Sequence, residues 1–199
     1  MNKVVIKLSL IGFVLFFAVN AFACVGRTLY IGSLETDGDK IMAEMLATLI
    51  NERTGTTIQI RYYPDREALY TALKSDVEEK RADILIENTV DAMKIVGKES
   101  NQLPDNDLIT AKELYEKELG IIWLNPFGFS NSTGASGQSI SAPLVRRDIL
   151  TNFPLLPRIL NKLSGVFTNE IYSSLQKEVA DGEKPKNAAK NFLKKRKLI

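Results

Sequence analysis

A short polar segment between two apolar ones limits what this chain can fold into. The sequence GIIWL at 120–124 is apolar like a buried strand, and ISAPLV at 140–145 is a second segment of that kind. Between them, SNSTGASGQS at 130–139 is rich in Ser and Gly and too short to build a hydrophobic core. We therefore expect both apolar segments in one sheet, and residues 24–199 to form one compact α/β domain.

Before the first of these apolar segments, strand-like and helix-like patterns alternate. Residues 28–33, 57–63 and 82–87 are apolar or alternate like strands, and a helix is predicted over 39–53 with Gly55 as its stop signal. A second helix is predicted to begin at Pro64-Asp65. This order favours a mainly parallel sheet flanked by helices, with any ligand beyond the carboxyl ends of the strands. The apolar face of the first helix is predicted to consist of Ile41, Met42, Met45, Leu46, Leu49 and Ile50.

The last third of the chain has the pattern of helices. One is predicted from Pro157 to Leu163, a second is capped by Thr168, and Pro185 opens a third. Thr110 and Glu113 have the spacing of a capping box, which predicts the start of the helix that leads to GIIWL. The C-terminal region is therefore expected to be helical.

The N-terminus reads as an export signal. Two lysines precede an apolar stretch at 8–19 that is too short to span a bilayer, and Ala21-Phe22-Ala23 precedes Cys24. Residues 1–23 are therefore predicted to be a signal peptide. Cys24 is the only cysteine, and its position fits a lipidated first residue of a bacterial lipoprotein. Ala21 stands where lipoproteins commonly have Leu, so ordinary signal peptidase cleavage after Ala23 stays open.

Charge is nearly balanced, with 26 Lys and Arg against 24 Asp and Glu, which argues against nucleic acid as a partner. The run Lys194, Lys195, Arg196 and Lys197 is the basic cluster of the chain. It closes a predicted helix, whose carboxyl end favours cations. We therefore interpret this run as part of a helix terminus, with a binding patch as the less favoured alternative.

Four segments carry a resemblance to a known family and occur in the same order as in that family. They are 26–55, ALKSDVEEKRADILIENT at 72–89, YEKELGIIWLNPFGFSN at 115–131, and 142–199 with LNKLSG and AKNFLKKRKLI. Together they resemble the substrate-binding proteins of glycine betaine, choline and carnitine ABC transporters. The resemblance implies a type II periplasmic-binding-protein fold, in which a ligand lies between two hinged lobes. Here the chain would leave the first lobe near 124 and re-enter it near 142. The resemblance therefore predicts a single-lobe remnant, with 130–139 a short loop in place of the second lobe.

Family members surround a quaternary ammonium with aromatic rings, because a methylated cation donates no hydrogen bonds. Alignment of the matching segments places Leu85, Asn88 and Thr133 where the family has tyrosines. We therefore expect weakened or altered binding of a small quaternary amine or another organic cation. The resemblance further implies an ABC permease as partner and a periplasmic or extracytoplasmic location, with a membrane anchor at Cys24. The alternative is a degenerate lobe that serves as an interaction module without a small ligand.

The candidate ligand-binding residues are those that follow the predicted strands. Asp65, Asn88 and Thr89 are better explained as helix N-caps, and Phe127, Phe129 and Trp123 as core residues or as a cover for exposed sheet surface. The chain contains no histidine and no phosphate-binding loop or metal-ligand spacing, so neither a cofactor nor a metal is predicted. A paired-carboxylate enzyme using Glu35 and Glu87 is the third, least favoured reading, and we expect no enzyme. The full candidate set is Ser33, Glu35, Tyr63, Asp65, Glu87, Asn88, Thr89 and Phe127.

Overall fold

The computed structural model describes residues 27–101, 103–128, 130–132 and 138–199. The predicted signal peptide at 1–23, Cys24, Phe129 and Thr133 lie outside the described residues. The strands are β1 (Thr28–Leu34), β2 (Thr57–Tyr63), β3 (Ile84–Asn88), β4 (Ile121–Trp123), β5 (Ser130–Ser132) and β6 (Gln138–Arg146). The helices are α1 (Asp37–Thr54), α2 (Arg66–Leu73), α3 (Thr89–Ile95), α4 (Pro104–Leu114), α5 (Arg147–Asn152), α6 (Leu156–Leu160), α7 (Asn169–Ala180) and α8 (Pro185–Lys195).

The sheet has the strand order β2-β1-β3-β6-β4. Strand β1 is parallel to both β2 and β3, whereas β6 is antiparallel to both β3 and β4. Four of these five strands therefore point in the same direction, and β6 is the exception. The predicted α/β fold with a mainly parallel sheet and a helical C-terminal region is confirmed.

The two apolar segments, at 120–124 and 140–145, lie in the same sheet. Trp123 of β4 pairs with Leu144 of β6, so the chain returns to the same sheet that it leaves. The ends of the segment predicted as a loop at 130–139 also form a ladder, in which Ser130 pairs with Ile140 and Ser132 with Gln138. Two short paired strands therefore lie at the position where the resemblance predicts a short loop in place of the second lobe.

The first face of the sheet carries α1 and the C-terminal helices. All six residues predicted for the apolar face of α1 are buried. Phe167 lies between α6 and α7, where it stacks on Phe192 of α8 with ring centroids 4.9 Å apart. Burial of each large apolar side chain stabilises the fold by about 1.5–3 kcal/mol. The helices that follow β6 therefore complete the core that α1 begins.

The second face carries α2, α3 and α4, and its core includes three aromatic side chains. The hydroxyl groups of Tyr70 and Tyr115 are 2.7 Å apart, and Tyr115 donates to the backbone oxygen of Ala92 at 3.1 Å. Tyr70 therefore donates to Tyr115. The ring of Trp123 meets that of Tyr115 edge to face, with centroids 5.5 Å apart. Trp123 is buried, as its interpretation as a core residue predicts.

The predicted capping box at Thr110 and Glu113 is wrong. Helix α4 begins earlier, at Pro104, and both residues lie in its interior. The ring of Pro104 fixes φ for the first helical turn and leaves one amide hydrogen fewer to be capped, and Leu103 before it makes no side-chain cap bond. The helix continues as a π-helical turn over Tyr115–Leu119 and ends at Gly120, whose φ of 65° favours glycine.

Candidate functional site

A polar cleft of about 500 Å³ lies at the carboxyl ends of β1 and β3. The first turns of α1, α2 and α3 form one side of it, and α7 forms the other. In a sheet whose neighbouring strands are parallel, this edge is where ligands commonly bind. The cleft is therefore the candidate functional site.

The helices around the cleft begin here because polar residues satisfy their first amide groups. The side-chain oxygen of Thr36 accepts from the amide of Asp39 at 3.2 Å, and that of Asn88 accepts from the amide of Asp91 at 3.0 Å. Thr168 caps α7 in the same way at 3.3 Å, as predicted. Each such cap stabilises its helix by about 1 kcal/mol. The caps therefore fix where the polar groups of the cleft lie.

Four ionisable side chains form a network, and three of them, Arg66, Glu87 and Asp91, line the floor of the cleft. Arg66 Nε lies 3.1 Å from Glu87 Oε2, and its Nη2 lies 2.8 Å from Asp91 Oδ2. Asn88 Nδ2 donates to both carboxylates, at 3.2 Å and 2.9 Å. Lys94 Nζ reaches the other oxygen of Asp91 at 2.8 Å. The carboxylates of Glu87 and Asp91 therefore already have partners in the protein.

Glu87 is the buried member of this network, with 2% of its side chain exposed. Burial raises its pKa to about 7, although the charge of Arg66 and the amide of Asn88 act in the opposite direction. Burial also acts on Asp91, but hydrogen bonds from Asn88 and Lys94 and the charge of Arg66 outweigh it, so that its pKa lies below the ordinary value. The charge of the cleft therefore changes near neutral pH.

Tyr172 of α7 is the aromatic side chain among the described residues that line the cleft. Burial raises its pKa to about 12, so its hydroxyl stays neutral. A Cβ at Gly38 would lie 2.2 Å from the Tyr172 hydroxyl and 2.9 Å from Gln176 Nε2. The absence of a side chain at Gly38 therefore allows α7 to approach the first turn of α1 and brings Tyr172 into the cleft.

The structure brings three of the predicted site residues together. Ser33, Glu87 and Asn88 line the cleft, at the ends of β1 and β3. Tyr63 and Asp65 lie instead at a shallower depression beside α2, where Asp65 accepts from the amide of Ala68 at 2.8 Å. Asp65 and Asn88 thus both act as N-caps.

The other predicted residues lie outside the cleft lining. Glu35 is exposed just after β1. Thr89 is fully buried, and its hydroxyl accepts from the amide of Ile140 at 3.2 Å. Phe127 is fully buried, edge to face with Phe167 at 6.0 Å between centroids. Leu85, aligned with a family tyrosine, is also buried in the core and away from the cleft.

Sequence reasoning missed Arg66, Asp91, Asp39 and Tyr172. The first three lie in the first turns of helices that follow predicted strands, so extending the search by one helical turn finds them. Tyr172 lies far along the chain, and no local pattern marks it. Only the packing of α7 against α1 brings it to the cleft.

Two further findings concern only the described residues. They include no cluster of His, Cys, Asp and Glu suited to hold a metal ion. None of the described helices is long and apolar enough to cross a membrane.

Comparison with known proteins gives a consistent result. Residues 134–195 match the family model for the substrate binding domain of the ABC-type glycine betaine transport system. The fold resembles that in the crystal structure of a glycine betaine/carnitine/choline ABC transporter, with a TM-score of 0.77 and 14% identity over 86% of this chain and 98% of that chain. Among curated proteins, no sequence matches this chain.

Two further solved structures share the fold. Apo YehZ from Escherichia coli gives a TM-score of 0.75 with 10% identity over 87% of this chain and 100% of that chain. Lactococcal OpuAC, in its closed form with glycine betaine, gives 0.51 with 12% identity over 86% and 96%. The resemblance inferred from the four sequence segments is therefore confirmed, as is the type of fold.

Proposed function

We propose that this chain is an exported, single-lobe component of a glycine betaine/choline-type ABC transporter, with weakened or altered ligand binding. The observation that carries the proposal is the polar cleft at the carboxyl ends of β1 and β3, in a fold shared with substrate-binding proteins. The match of residues 134–195 to a substrate-binding domain supports the same assignment. Its partner is the membrane permease of such a transporter.

The charges of the cleft favour a small organic cation as ligand. Asp39, Glu87 and Asp91 supply three carboxylates, against the guanidinium of Arg66 in the cleft and the ammonium of Lys94 that pairs with Asp91. For a quaternary ammonium, one aromatic ring at Tyr172 contributes about 0.5–2 kcal/mol, whereas a full cage multiplies this contact. We therefore expect choline, glycine betaine and carnitine to bind with a Kd above about 1 mM, which corresponds to less than about 4 kcal/mol of binding free energy.

The test measures the melting temperature of the protein with choline and with 3,3-dimethylbutanol, its neutral analogue. At 10 mM choline and a Kd of about 1 mM, the tightest binding expected, the ligand stabilises the native state by at most about 1.4 kcal/mol. In a domain of this size that raises the melting temperature by about 3–6 °C. The neutral analogue is expected to have no effect, because it lacks the charge that the carboxylates attract.

A matched pair of variants locates the binding site. Tyr172→Leu removes the aromatic ring of the cleft and is expected to abolish the shift with choline. Tyr62→Leu removes an exposed tyrosine of β2 outside the cleft and is expected to leave the shift unchanged. Tight, saturable binding by the monomer, or an equal effect of both substitutions, contradicts the proposal.

The second candidate function is an interaction module without a small ligand. The observation that favours it is the network of Arg66, Glu87 and Asp91, in which the charged groups of the cleft floor form ion pairs with one another. In that case neither choline nor any other organic cation shifts the melting temperature. No catalytic role is part of either proposal, because the matching family model describes a substrate-binding domain.

The proposal includes export and attachment to the membrane at Cys24, on the extracytoplasmic side. It rests on the leader at 1–23 and on the place of Cys24 directly after Ala21-Phe22-Ala23. Cys24→Ser is expected to release the protein into the soluble fraction, and the wild-type mass should carry a lipid increment. Identical partitioning of both proteins, with no such increment, favours cleavage by the ordinary signal peptidase.

A further inference from the structure

The two parts of this chain carry opposite charge. Residues 184–199 contain seven Lys and Arg and no Asp or Glu. Since the whole chain has 26 basic and 24 acidic residues, the residues before 184 are acidic overall. Such an asymmetry concentrates positive potential on one part of the surface.

Helix α8 displays this charge to solvent. Its apolar side, with Ala188, Ala189, Phe192 and Leu193, is buried in the core. Lys194, Lys195, Arg196 and Lys197, the C-terminal basic cluster, are all exposed. In the described part of the chain none of these four side chains forms an ion pair, whereas nearby Lys190 does, with Glu52 at 3.1 Å.

Acidic residues also lie beside α8, and one of them, Glu52 of α1, is paired with Lys190. Glu178 of α7 lines, with Lys195 and Arg196, a groove of about 220 Å³ between α7 and α8. Glu78 and Glu79 belong to the segment before β3, where Glu78 accepts from the hydroxyl of Tyr30 at 2.9 Å. The α8 side of this end of the molecule therefore remains basic.

The C-terminal basic cluster lies at the end of the molecule where the described chain begins. Arg53 Nε, in the last turn of α1, donates to the backbone oxygen of Leu198 at 2.7 Å. Helix α1 leads directly into β2, whose first residue, Thr57, pairs with Thr28 at the start of β1. Exposed Arg27, adjacent to Thr28, adds a further cation.

The candidate cleft lies at the other end of β1. Strand β1 has seven residues and spans about 20 Å from Thr28 to Leu34. Cys24 is three residues before Arg27, so the two residues are at most about 11 Å apart. A surface that contacts the C-terminal basic cluster therefore lies within reach of Cys24 and faces away from the cleft.

We propose that the C-terminal basic cluster, with Arg27, is a contact surface for an anionic phospholipid bilayer. Each Lys or Arg near an anionic membrane contributes about 1 kcal/mol of attraction, which falls off within a Debye length. This inference rests on the proposed lipid anchor at Cys24, to which a neighbouring basic surface adds electrostatic attraction. Bilayer contact at this end directs the opening of the cleft toward the aqueous compartment.

The experiment measures sedimentation of the protein with vesicles in the absence of a lipid anchor. It uses residues 24–199 with Cys24→Ser, a segment that retains every described helix and strand and the whole core. Vesicles contain equal parts of phosphatidylglycerol and phosphatidylcholine, or phosphatidylcholine alone. Binding is expected only to the anionic vesicles, and 0.5 M NaCl is expected to abolish it, because salt screens charges between exposed surfaces.

Two variants of equal net charge separate the C-terminal basic cluster from charge in general. Lys194→Gln, Lys195→Gln and Lys197→Asn together remove three charges from it, and Asn tolerates the φ of 57° at position 197. Lys74→Gln, Lys98→Gln and Lys117→Gln remove three exposed lysines that are carried by the other face of the sheet. The first variant is expected to bind anionic vesicles about a hundredfold more weakly, at about 1 kcal/mol per lysine. The second is expected to lose less than about threefold.

Each other outcome overturns the proposal. Equal losses in both variants mean that binding follows net charge alone. Absence of wild-type binding to anionic vesicles excludes the bilayer as partner, and binding to polyglutamate in that case assigns the surface to an acidic protein. The choline-induced melting shift does not depend on these lysines, so this proposal and the proposed ligand binding fail separately.

Discussion

The two ends of the sheet carry similar side chains in opposite situations. At the carboxyl ends of the strands, Arg66 is paired with two carboxylates, and Glu87 is buried beneath it. At the other end, Lys194 and Lys195 are exposed and form no ion pair in the part of the chain that the structure describes. The difference teaches that burial decides the role of a charge. A buried charge has partners and affects folding, whereas an exposed charge is available to another molecule.

The largest expected effect concerns the dependence of stability on pH. Glu87 has a folded pKa of about 7, above its ordinary value of 4.5, so the native state holds the proton more tightly than the unfolded state. Its contribution to stability therefore falls as pH rises from about 4.5 to 7, by about 2–3 kcal/mol between pH 5 and pH 8. Glu87→Gln is expected to remove that decrease.

Urea unfolding at pH 5 and pH 8 measures this difference. Glu35→Gln, at an exposed carboxylate, is the matched control and is expected to keep the wild-type dependence on pH. If Glu87→Gln and the wild type lose the same stability over this range, Glu87 is already ionised at pH 5 and the contrast between the two ends is smaller than the burial implies.

The next effect concerns the counter-charge itself. Arg66→Met leaves Glu87 without its cation, and the free energy of unfolding at pH 8 is expected to fall by about 1–2 kcal/mol, less than for a fully buried pair because Arg66 is 38% exposed. The loss should shrink at pH 5, where Glu87 is protonated. Arg158→Met, at an exposed arginine of α6, serves as control and should change stability by less than about 0.5 kcal/mol.

A smaller effect is expected from the helix cap at the cleft. Asn88→Ala removes the side-chain acceptor for the amide of Asp91 and should lower the free energy of unfolding by about 1 kcal/mol. Lys184 has the N-cap position of α8 but makes no side-chain cap bond, so Lys184→Ala should have almost no effect. Thermal unfolding of both variants decides the matter, and equal losses would show that the capping bond of Asn88 is not what stabilises α3.

The smallest effect is expected at the C-terminal basic cluster. Lys194→Gln with Lys195→Gln should change the free energy of unfolding by less than about 0.5 kcal/mol, since both side chains are exposed and unpaired among the described residues. Chemical denaturation measures this change. A loss above about 1 kcal/mol would show that these lysines stabilise the carboxyl end of α8, and would remove the contrast with the cleft.

Much of the fold follows from local patterns in the sequence. Strand β2 has the predicted bounds, and the six apolar positions of α1 are all buried, because amphipathic periodicity directly reflects which side of an element meets the core. Thr168 caps α7 as predicted, since a cap needs only neighbouring residues. The start of α4 is predicted wrongly because Pro104 and the Thr110–Glu113 pair are both local signals for a helix start. Nothing in the sequence shows which of the two begins the helix.

Within the cleft, the chain itself determined the residues at the ends of the strands. Ser33 and Glu87 lie in the cleft because each ends a predicted strand, and Asn88 because it directly follows one, since parallel neighbours place their carboxyl ends at one edge. The sequence alone also determined the leader pattern and the segregation of positive charge into residues 184–199. These properties depend on composition and on spacing over a few residues.

Tertiary structure decided which of these groups meet and which are buried. Glu87 and exposed Glu35 are both acids close to strand ends, yet only Glu87 lies beneath Arg66 with a pKa of about 7. Tyr172 reaches the cleft only because α7 packs against α1 at Gly38. The C-terminal basic cluster lies near the last turn of α1 only because α8 packs along α1. Contacts between residues far apart in the chain depend on how the core packs, and that packing is set by the whole sequence at once.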